Sequence, residues 1–361
     1  MTINSCRGGQ NRRTFLKELA VSGGAVMLAG SVGELMAAQI DAKWKNQSGI
    51  ELFTLRDALS KDYEGSLAKL AKIGYKEVEP ADPYNNMEPK QYKALLDKYG
   101  LKMYSTHSGA TDGPNLEKEL EGQALMGIKY TDVRAGGGMM PGGAPGGGGP
   151  PGAAGAQGRG GDRSGGGAPG TGGPPGADAA RGARGAMPQM PKQTLESVKK
   201  SAEEMNKYGK IVQKFGMKIL IHNHTSEFDL LQDSKLTQYD VLLAETDPEL
   251  VVMQIDIGWA CVAGQNVLEM FKKNPGRYEL WHVKDAKFKD LDPKLTPSER
   301  QFSAKITAIG EGDIDYKTLF ANAELAGLKY FVIEQDTAGE GGRDVFEDCR
   351  IAYENLYKIL S

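Results

Sequence analysis

The stretch that decides the fold runs from Thr194 to His224 and reads "TLESVKKSAEEMNKYGKIVQKFGMKILIHNH". Its first part carries apolar residues at the spacing of an amphipathic helix. Gly216 ends that pattern, and an apolar run begins at once with Met217, which is typical of a left-handed helix cap leading into a buried strand. The stretch therefore predicts one helix followed by one strand of an α/β fold.

The same unit recurs along the chain, where Gly74, Gly100 and Gly327 also separate a helical pattern from a strand pattern. The predicted strands are 49–55, 75–80, 101–107, 129–135, 217–224, 250–257, 278–286 and 329–336. Eight strands alternating with eight helices favour a single (β/α)8 TIM barrel over residues 49–361. A doubly wound open sheet is the alternative, but no phosphate-binding glycine pattern follows the first strand.

One segment interrupts the alternation directly after the fourth predicted strand. Residues 135–191 consist largely of Gly, Pro and Ala and offer few bulky apolar side chains to bury. Such a composition cannot offset the entropy lost on ordering, so we predict a disordered insertion there.

The first 38 residues resemble a twin-arginine export signal. Arg12 and Arg13 form the pair, and "TFLK" follows them before a weakly apolar, glycine-rich run. We expect cleavage near Ala37 or Ala38 and residence in the periplasm, with membrane anchoring as the alternative for an uncleaved chain.

The net charge and the cysteine content limit the classes of binding partner and the covalent cross-links that we expect. The formal net charge is -3, which gives no electrostatic reason to expect nucleic acid or an anionic membrane. Three cysteines are too few and too widely spaced for a disulfide framework. We expect a small-molecule partner and no membrane partner beyond the export machinery; an oligomer is compatible with the sequence.

Side chains that bind metals or move protons gather where the predicted strands end. All four histidines of the chain do so: His107, His222, His224 and His282. Carboxylates follow the same rule at Glu79, Asp256 and Glu334, and Glu227 lies three residues beyond His224. Parallel barrel strands end at one face, so these groups converge. Buried carboxylates are costly unless they are paired, protonated or bound to a cation, and a cation is the simplest explanation for several of them beside a histidine. Oxygen and imidazole donors without cysteine suit one divalent ion: Mn, Mg, Co or Zn.

The pieces "LFTLRD", "IGYKEVEP", "IHNHTSEF", "QIDIGW", "GRYELWHVKDA", "GEGDIDYKTLF" and "YFVIEQD" resemble the sugar phosphate isomerase/epimerase superfamily, which has the xylose isomerase-like TIM barrel. The resemblance runs from Gly49 to the C-terminus, apart from the insertion. It implies a metal held by Asp256, His282, Glu334 and a glutamate of strand five. Histidines stand where relatives carry that glutamate, so we expect Glu227 as the fourth ligand, with His222 or His224 as the alternative.

The resemblance also implies roles around the metal. Glu227 and Glu334 are the expected acid and base, with His224 as proton relay. Substrate contacts are expected from Glu79, His107, His222 and Lys284, although a salt bridge from Lys284 to Asp285 or Glu311 is an equal alternative. The implied function is a metal-dependent isomerase or epimerase that removes a proton next to the metal-bound carbonyl of a free sugar or sugar derivative. A lyase acting on a keto-inositol or 3-keto glycoside, and a non-catalytic sugar-binding barrel, are the other candidates.

Overall fold

The structure is a computed structural model that describes residues 43–134 and 193–361. The predicted export signal and the predicted glycine-rich insertion lie outside the described residues. Within 43–134 and 193–361, no helix is both long and apolar enough to cross a membrane.

A parallel sheet forms the centre of the protein. The strands are β1 Ser48–Glu51, β2 Glu77–Glu79, β3 Ala110–Thr111, β4 Tyr130–Thr131, β5 Val133–Arg134, β6 Lys218–His222, β7 Val251–Asp256, β8 Leu280–Val283, β9 Asp285–Lys287, β10 Lys305–Thr307 and β11 Tyr330–Ile333. Seven of them form one sheet in the order β2-β1-β11-β8-β7-β6-β4. Each strand of this sheet runs parallel to its neighbours.

The segment 101–107 lies between the two edge strands of this sheet. The backbone N–H of Val78 donates to the carbonyl of Lys102 at 2.8 Å, and the N–H of Tyr130 donates to the carbonyl of Tyr104 at 3.0 Å. Isolated parallel bridges from Lys102 to β2 and from Ser105 to β4 accompany these hydrogen bonds. The third predicted strand therefore occupies the eighth barrel position with bridges in place of a regular ladder. The predicted TIM barrel is confirmed.

Helices follow the strands around the outside of the barrel. They are Arg56–Leu59, Tyr63–Ile73, Pro89–Lys98, Leu116–Met126, Leu195–Val212, Gln238–Glu245, Ile257–Val262, Val267–Lys273, Pro297–Ser303, Tyr316–Ala321, Ala323–Ala326 and Val345–Ile359. Gly216 has φ 74° and Gly327 has φ 88°, the left-handed conformation that glycine adopts without a Cβ clash. Gly74 and Gly100 also have positive φ, so the predicted glycine junctions are confirmed.

Among the element boundaries that differ from the sequence prediction, two lie beside the site. The first strand ends at Glu51 because the Glu51 carboxylate accepts a hydrogen bond from the Phe53 N–H at 2.8 Å, which caps a short 3-10 helix over Leu52–Leu55. The seventh predicted strand is divided at Lys284 between β8 and β9. Both changes fall at the carboxyl ends of strands, where the site lies.

The barrel interior changes from apolar to polar along the strands. Leu220, Val252 and Leu280 pack together inside the barrel with Tyr130 and Tyr330. Side chains alternate along a strand, so the residues two and four positions beyond Val252 share its inward face. These positions carry polar groups, and the apolar layer thus forms a floor beneath them.

Candidate metal centre

Four side chains at the carboxyl ends of four neighbouring strands form a compact donor group. His222 ends β6, Asp256 ends β7, His282 lies in β8, and Glu334 follows β11. One ligand atom from each lies within 4.8 Å of the others, and all four residues are buried. Asp256 pairs in register with His282, which explains why their side chains meet. Three of the four, Asp256, His282 and Glu334, belong to the ligand set expected from the sequence.

His282 lies between two carboxylates. Its Nδ1 is 2.6 Å from Glu334 Oε2, and its Nε2 is 2.7 Å from Glu79 Oε1. Burial alone would lower the pKa of His282, but the two carboxylates raise that pKa well above its ordinary value. The imidazole therefore carries a positive charge when no metal ion is bound.

Lys284 supplies a second buried positive charge. Its Nζ lies 3.0 Å from Asp256 Oδ2, 3.2 Å from Glu334 Oε2 and 2.9 Å from Asp336 Oδ2. The ammonium also lies 4.7 Å from the centre of the Trp259 ring. Burial lowers the pKa of Lys284, and the carboxylates outweigh that effect and raise it well above its ordinary value. The side chain has no exposed surface, so Lys284 balances the charge of the donor group.

The salt-bridge partners expected for Lys284 are engaged elsewhere. The Asp285 carboxylate accepts backbone N–H groups from Gly310 at 2.9 Å and Gly312 at 3.0 Å. Glu311 pairs with Arg343 at 3.4 Å. Lys284 therefore forms ion pairs, but with Asp256, Glu334 and Asp336 in place of the expected Asp285 or Glu311.

Asp256 is held in place by backbone and side-chain hydrogen bonds. Its Oδ1 accepts the N–H of Trp259 at 2.8 Å. Asn223, which has no exposed surface, accepts from the Asp256 N–H at 3.0 Å and donates to the Asp256 carbonyl at 3.3 Å. Burial raises the pKa of Asp256 to about 6, against the opposing effect of Lys284. Sequence reasoning missed Asn223; its position between two histidines at a strand end was the available signal.

Glu227 does not join the donor group. Its Oε2 accepts the backbone N–H of His224 at 2.8 Å and the hydroxyl of Ser226 at 3.2 Å. The loop after β6 forms a short 3-10 helix over Ser226–Phe228, which turns the carboxylate back onto its own backbone. The compact group therefore contains His222, the alternative that the sequence left open, in place of the expected Glu227.

His222 and His224 are neutral imidazoles, and each has one ring nitrogen without a hydrogen-bond partner among the described residues. The Nδ1 atoms of both lack a hydrogen-bond partner in the part of the chain that the structure describes. Burial lowers the pKa of His224 to about 3, with a smaller effect from Lys284, and burial lowers the pKa of His222 well below its ordinary value. Their ring centres are 5.0 Å apart, and the His224 ring stacks on Trp259 at 6.1 Å. Neutral imidazoles can bind a metal or accept a proton.

The remaining expected substrate contacts are Glu79 and His107. Glu79 has no exposed surface and is hydrogen-bonded by His282, Ser105 and Gln254. His107 is half-buried, and its Nε2 lies 2.7 Å from Gln254 Oε1. Gln254 was not singled out from the sequence, although it shares the inward face of β7 with Asp256. Of the two, His107 alone keeps exposed surface for a substrate.

The donor group fits a divalent cation. Two imidazoles and two carboxylates are the mixed donors that Mn, Co, Zn and similar ions accept. The unpartnered Nδ1 of His222 is a buried polar atom that an ion would satisfy. The residues that would hold the ion are therefore His222, Asp256, His282 and Glu334.

A parallel α/β barrel with such donors at the carboxyl ends of its strands is a TIM barrel with a candidate metal site. The sequence model described as "Xylose isomerase-like TIM barrel" matches residues 174–353. This match places the chain in the xylose isomerase-like TIM barrel family, in agreement with the resemblance seen in the sequence.

Two solved structures share the fold, and one curated relative shares part of the sequence. A sugar phosphate isomerase/epimerase from Parabacteroides distasonis is similar with 16% identity and TM-score 0.58, covering 87% of this chain and 100% of that one. A xylose isomerase-like TIM barrel protein from Mycobacterium smegmatis, solved with magnesium, has 13% identity and TM-score 0.51, covering 89% and 97%. An inosose dehydratase from Clostridium perfringens is 31% identical over 129 residues, which are 35% of this chain and 42% of that protein. The chain thus spans less than half the length of this relative.

Proposed function

We propose that the protein is a divalent-metal-dependent lyase that eliminates water or an alcohol from a keto sugar or keto polyol. The observation that carries the proposal is the group of His222, Asp256, His282 and Glu334 at the carboxyl ends of four strands. These residues would hold a divalent ion, which would polarise the carbonyl of the substrate and make the neighbouring C–H more acidic. The inosose dehydratase similarity supports the same class of reaction.

His224 is the residue that we assign to proton transfer. It is half-buried beside His222, and burial lowers its pKa so that the imidazole is neutral. Its Nδ1 has no hydrogen-bond partner among the described residues, so a nitrogen lone pair is available to a substrate proton. His224 takes the proton from the carbon next to the carbonyl, and those electrons form the new C=C bond. The C–O bond one carbon further on breaks, and His224 returns the proton to the departing oxygen. The products are an unsaturated ketone and water, or an alcohol.

An isomerase is the second candidate, favoured by the buried Glu334 carboxylate. With His224, it provides two groups that could handle protons during aldose–ketose interconversion. The Lys284 ammonium and His282 engage that carboxylate and lower its pKa against the effect of burial. The Glu334 carboxylate is engaged by these two partners, whereas the Nδ1 of His224 has no hydrogen-bond partner among the described residues, so we assign the single proton transfer of an elimination to His224.

Turnover in heavy water separates the candidates. The protein is stripped with a chelator, supplied with Mn²⁺ or Co²⁺, and incubated with inososes, 3-keto glycosides and free hexoses. NMR signals of an unsaturated ketone, absent in the His224→Gln variant, support the lyase. Deuterium incorporation next to the carbonyl without loss of water or alcohol favours the isomerase. Absence of both, from a protein that takes up no divalent metal, favours a sugar-binding barrel.

We also propose that the protein works in the periplasm, on the basis of Arg12 and Arg13 in the sequence. Free sugars and glycosides are then better candidates than phosphorylated sugars. Cell fractionation of the wild type and of the double variant R12K/R13K checks this: the variant is expected to remain in the cytoplasm. Equal periplasmic amounts of both would contradict the assignment.

A further inference from the structure

Glu79 is enclosed by hydrogen-bond donors at the end of β2. Its Oε1 lies 2.7 Å from His282 Nε2 and 3.3 Å from His107 Nε2. Its Oε2 accepts from Gln254 Nε2 at 2.6 Å and from the Ser105 hydroxyl. The side chain has no exposed surface, so a substrate could reach it only by displacing these partners.

We propose that Glu79 is the positioning residue of the metal centre, accepting the hydrogen bond of His282 Nε2 and so leaving Nδ1 as the metal-binding nitrogen. A neutral imidazole protonated on Nε2 carries its lone pair on Nδ1. That nitrogen faces Glu334, which belongs to the donor group. A carboxylate on the far nitrogen also fixes the ring orientation and makes the ligand a better electron donor. The assignment rests on the proposed function, in which His282 binds the ion.

The hydrogen-bond partners of Glu79 fix the position of its carboxylate in the metal-free protein. Ser105 comes from the segment between β2 and β4, and Gln254 comes from β7 on the other side of the barrel. With His282 of β8, these partners come from three elements of the barrel and fix both oxygens of the Glu79 carboxylate. Little reorganisation of Glu79 is therefore needed when His282 binds a metal ion.

The same carboxylate argues against a competing ion position. His107, His222 and His282 form a second group whose nitrogens lie within 4.8 Å of one another. The Nε2 atoms of His107 and His282 both face Glu79 Oε1, and their rings stack at 5.1 Å with an angle of 12°. These two rings therefore direct Nε2 at a carboxylate and away from a shared ion.

Glu79→Gln and Glu77→Gln form a matched pair for the test. Both residues are buried in β2, and both changes replace a carboxylate by an amide of the same shape. Only Glu79 contacts the metal centre. The amide of Glu79→Gln is a weaker acceptor for His282, and its NH₂ cannot accept from Gln254 or Ser105 if its oxygen stays on His282. We expect Co²⁺ affinity to fall about 10–100-fold with an altered visible spectrum in Glu79→Gln, and to stay at the wild-type level in Glu77→Gln.

NMR of the zinc-loaded wild type supplies a second readout that does not depend on a variant folding. Proton–nitrogen correlation spectra of the imidazoles are expected to show the His282 proton on Nε2. A proton on Nδ1, or equal Co²⁺ affinity in the two variants, would overturn the assignment. If the wild type itself binds no divalent ion, the proposed function fails together with it. If the wild type binds the ion and Glu79→Gln binds it with the same affinity, the role of Glu79 is wrong and the proposed metal site is unaffected.

Discussion

Replacing Lys284 by Met tests whether this lysine balances the charge of the metal centre. An ion pair at about 4 Å is worth about 4 kcal/mol at the effective dielectric of about 20 that suits proteins. Lys284 makes such contacts with the fully buried Asp256 and with Glu334, whereas Asp336 is 26% exposed and is screened by solvent. Much of the attraction is offset by the cost of burying the ammonium, and removing one partner of a buried pair costs about 3–5 kcal/mol net.

Urea unfolding followed by circular dichroism measures the change in the free energy of unfolding. In chelator, Lys284→Met is expected to lose about 3–5 kcal/mol, because two carboxylates lose their counter-charge. Lys93→Met is the control, since Lys93 pairs with Asp97 at the surface and its loss is expected to cost at most about 1 kcal/mol. Added Mn²⁺ is expected to narrow the gap between Lys284→Met and the wild type, because the ion neutralises the same carboxylates.

Two results would refute this reasoning. The first is an equal free energy of unfolding for Lys284→Met and the wild type in chelator, which would mean that the buried ammonium does not stabilise the carboxylates. The second is an equal loss in Lys284→Met and Lys93→Met, which would show that burial of the pair has no consequence.

Three further predictions concern single residues. His222→Ala is expected to lower divalent metal affinity at least tenfold by isothermal calorimetry, whereas Glu227→Gln is expected to leave it within about threefold. His224→Gln is expected to reduce kcat at least a hundredfold while metal affinity stays near the wild-type value; an unchanged kcat would remove the proton-transfer role. Burial raises the pKa of Glu77 to about 8, so its stabilising contribution is complete below about pH 4.5 and is lost as pH rises through 8. Glu77→Gln is therefore expected to gain on the order of 3 kcal/mol relative to wild type between pH 5 and pH 9 in chemical unfolding.

Much of the barrel and most of the donor group follow from sequence periodicity. Glycine at residue 216 or 327 ends a helix because it adopts positive φ, and the next strand begins from there. Asp256, His282 and Glu334 could be placed together because parallel strands end at one face of the barrel. This argument needs only strand order and the alternation of side chains.

The identity of the fourth donor could not be predicted, because it depends on the conformation of the loop after β6, which sequence periodicity does not describe. Glu227 and His222 are both near the end of β6, and the choice between them rests on the turn at Ser226–Phe228 that directs the Glu227 carboxylate to the His224 N–H. The ion-pair partners of Lys284 could not be predicted from the sequence either, because they come from β7 and from the segment after β11. Contacts between distant elements depend on side-chain rotamers that a linear pattern does not contain.

Anomalous scattering from crystals of the protein soaked in Mn²⁺ tests the central claim most directly. One manganese ion is expected in the barrel, in contact with His222, Asp256, His282 and Glu334. An ion bound through Glu227 in place of His222, or an ion held by His107, His222 and His282, would contradict the proposed centre. A crystal that takes up no manganese in the barrel would contradict the metal-dependent chemistry as well.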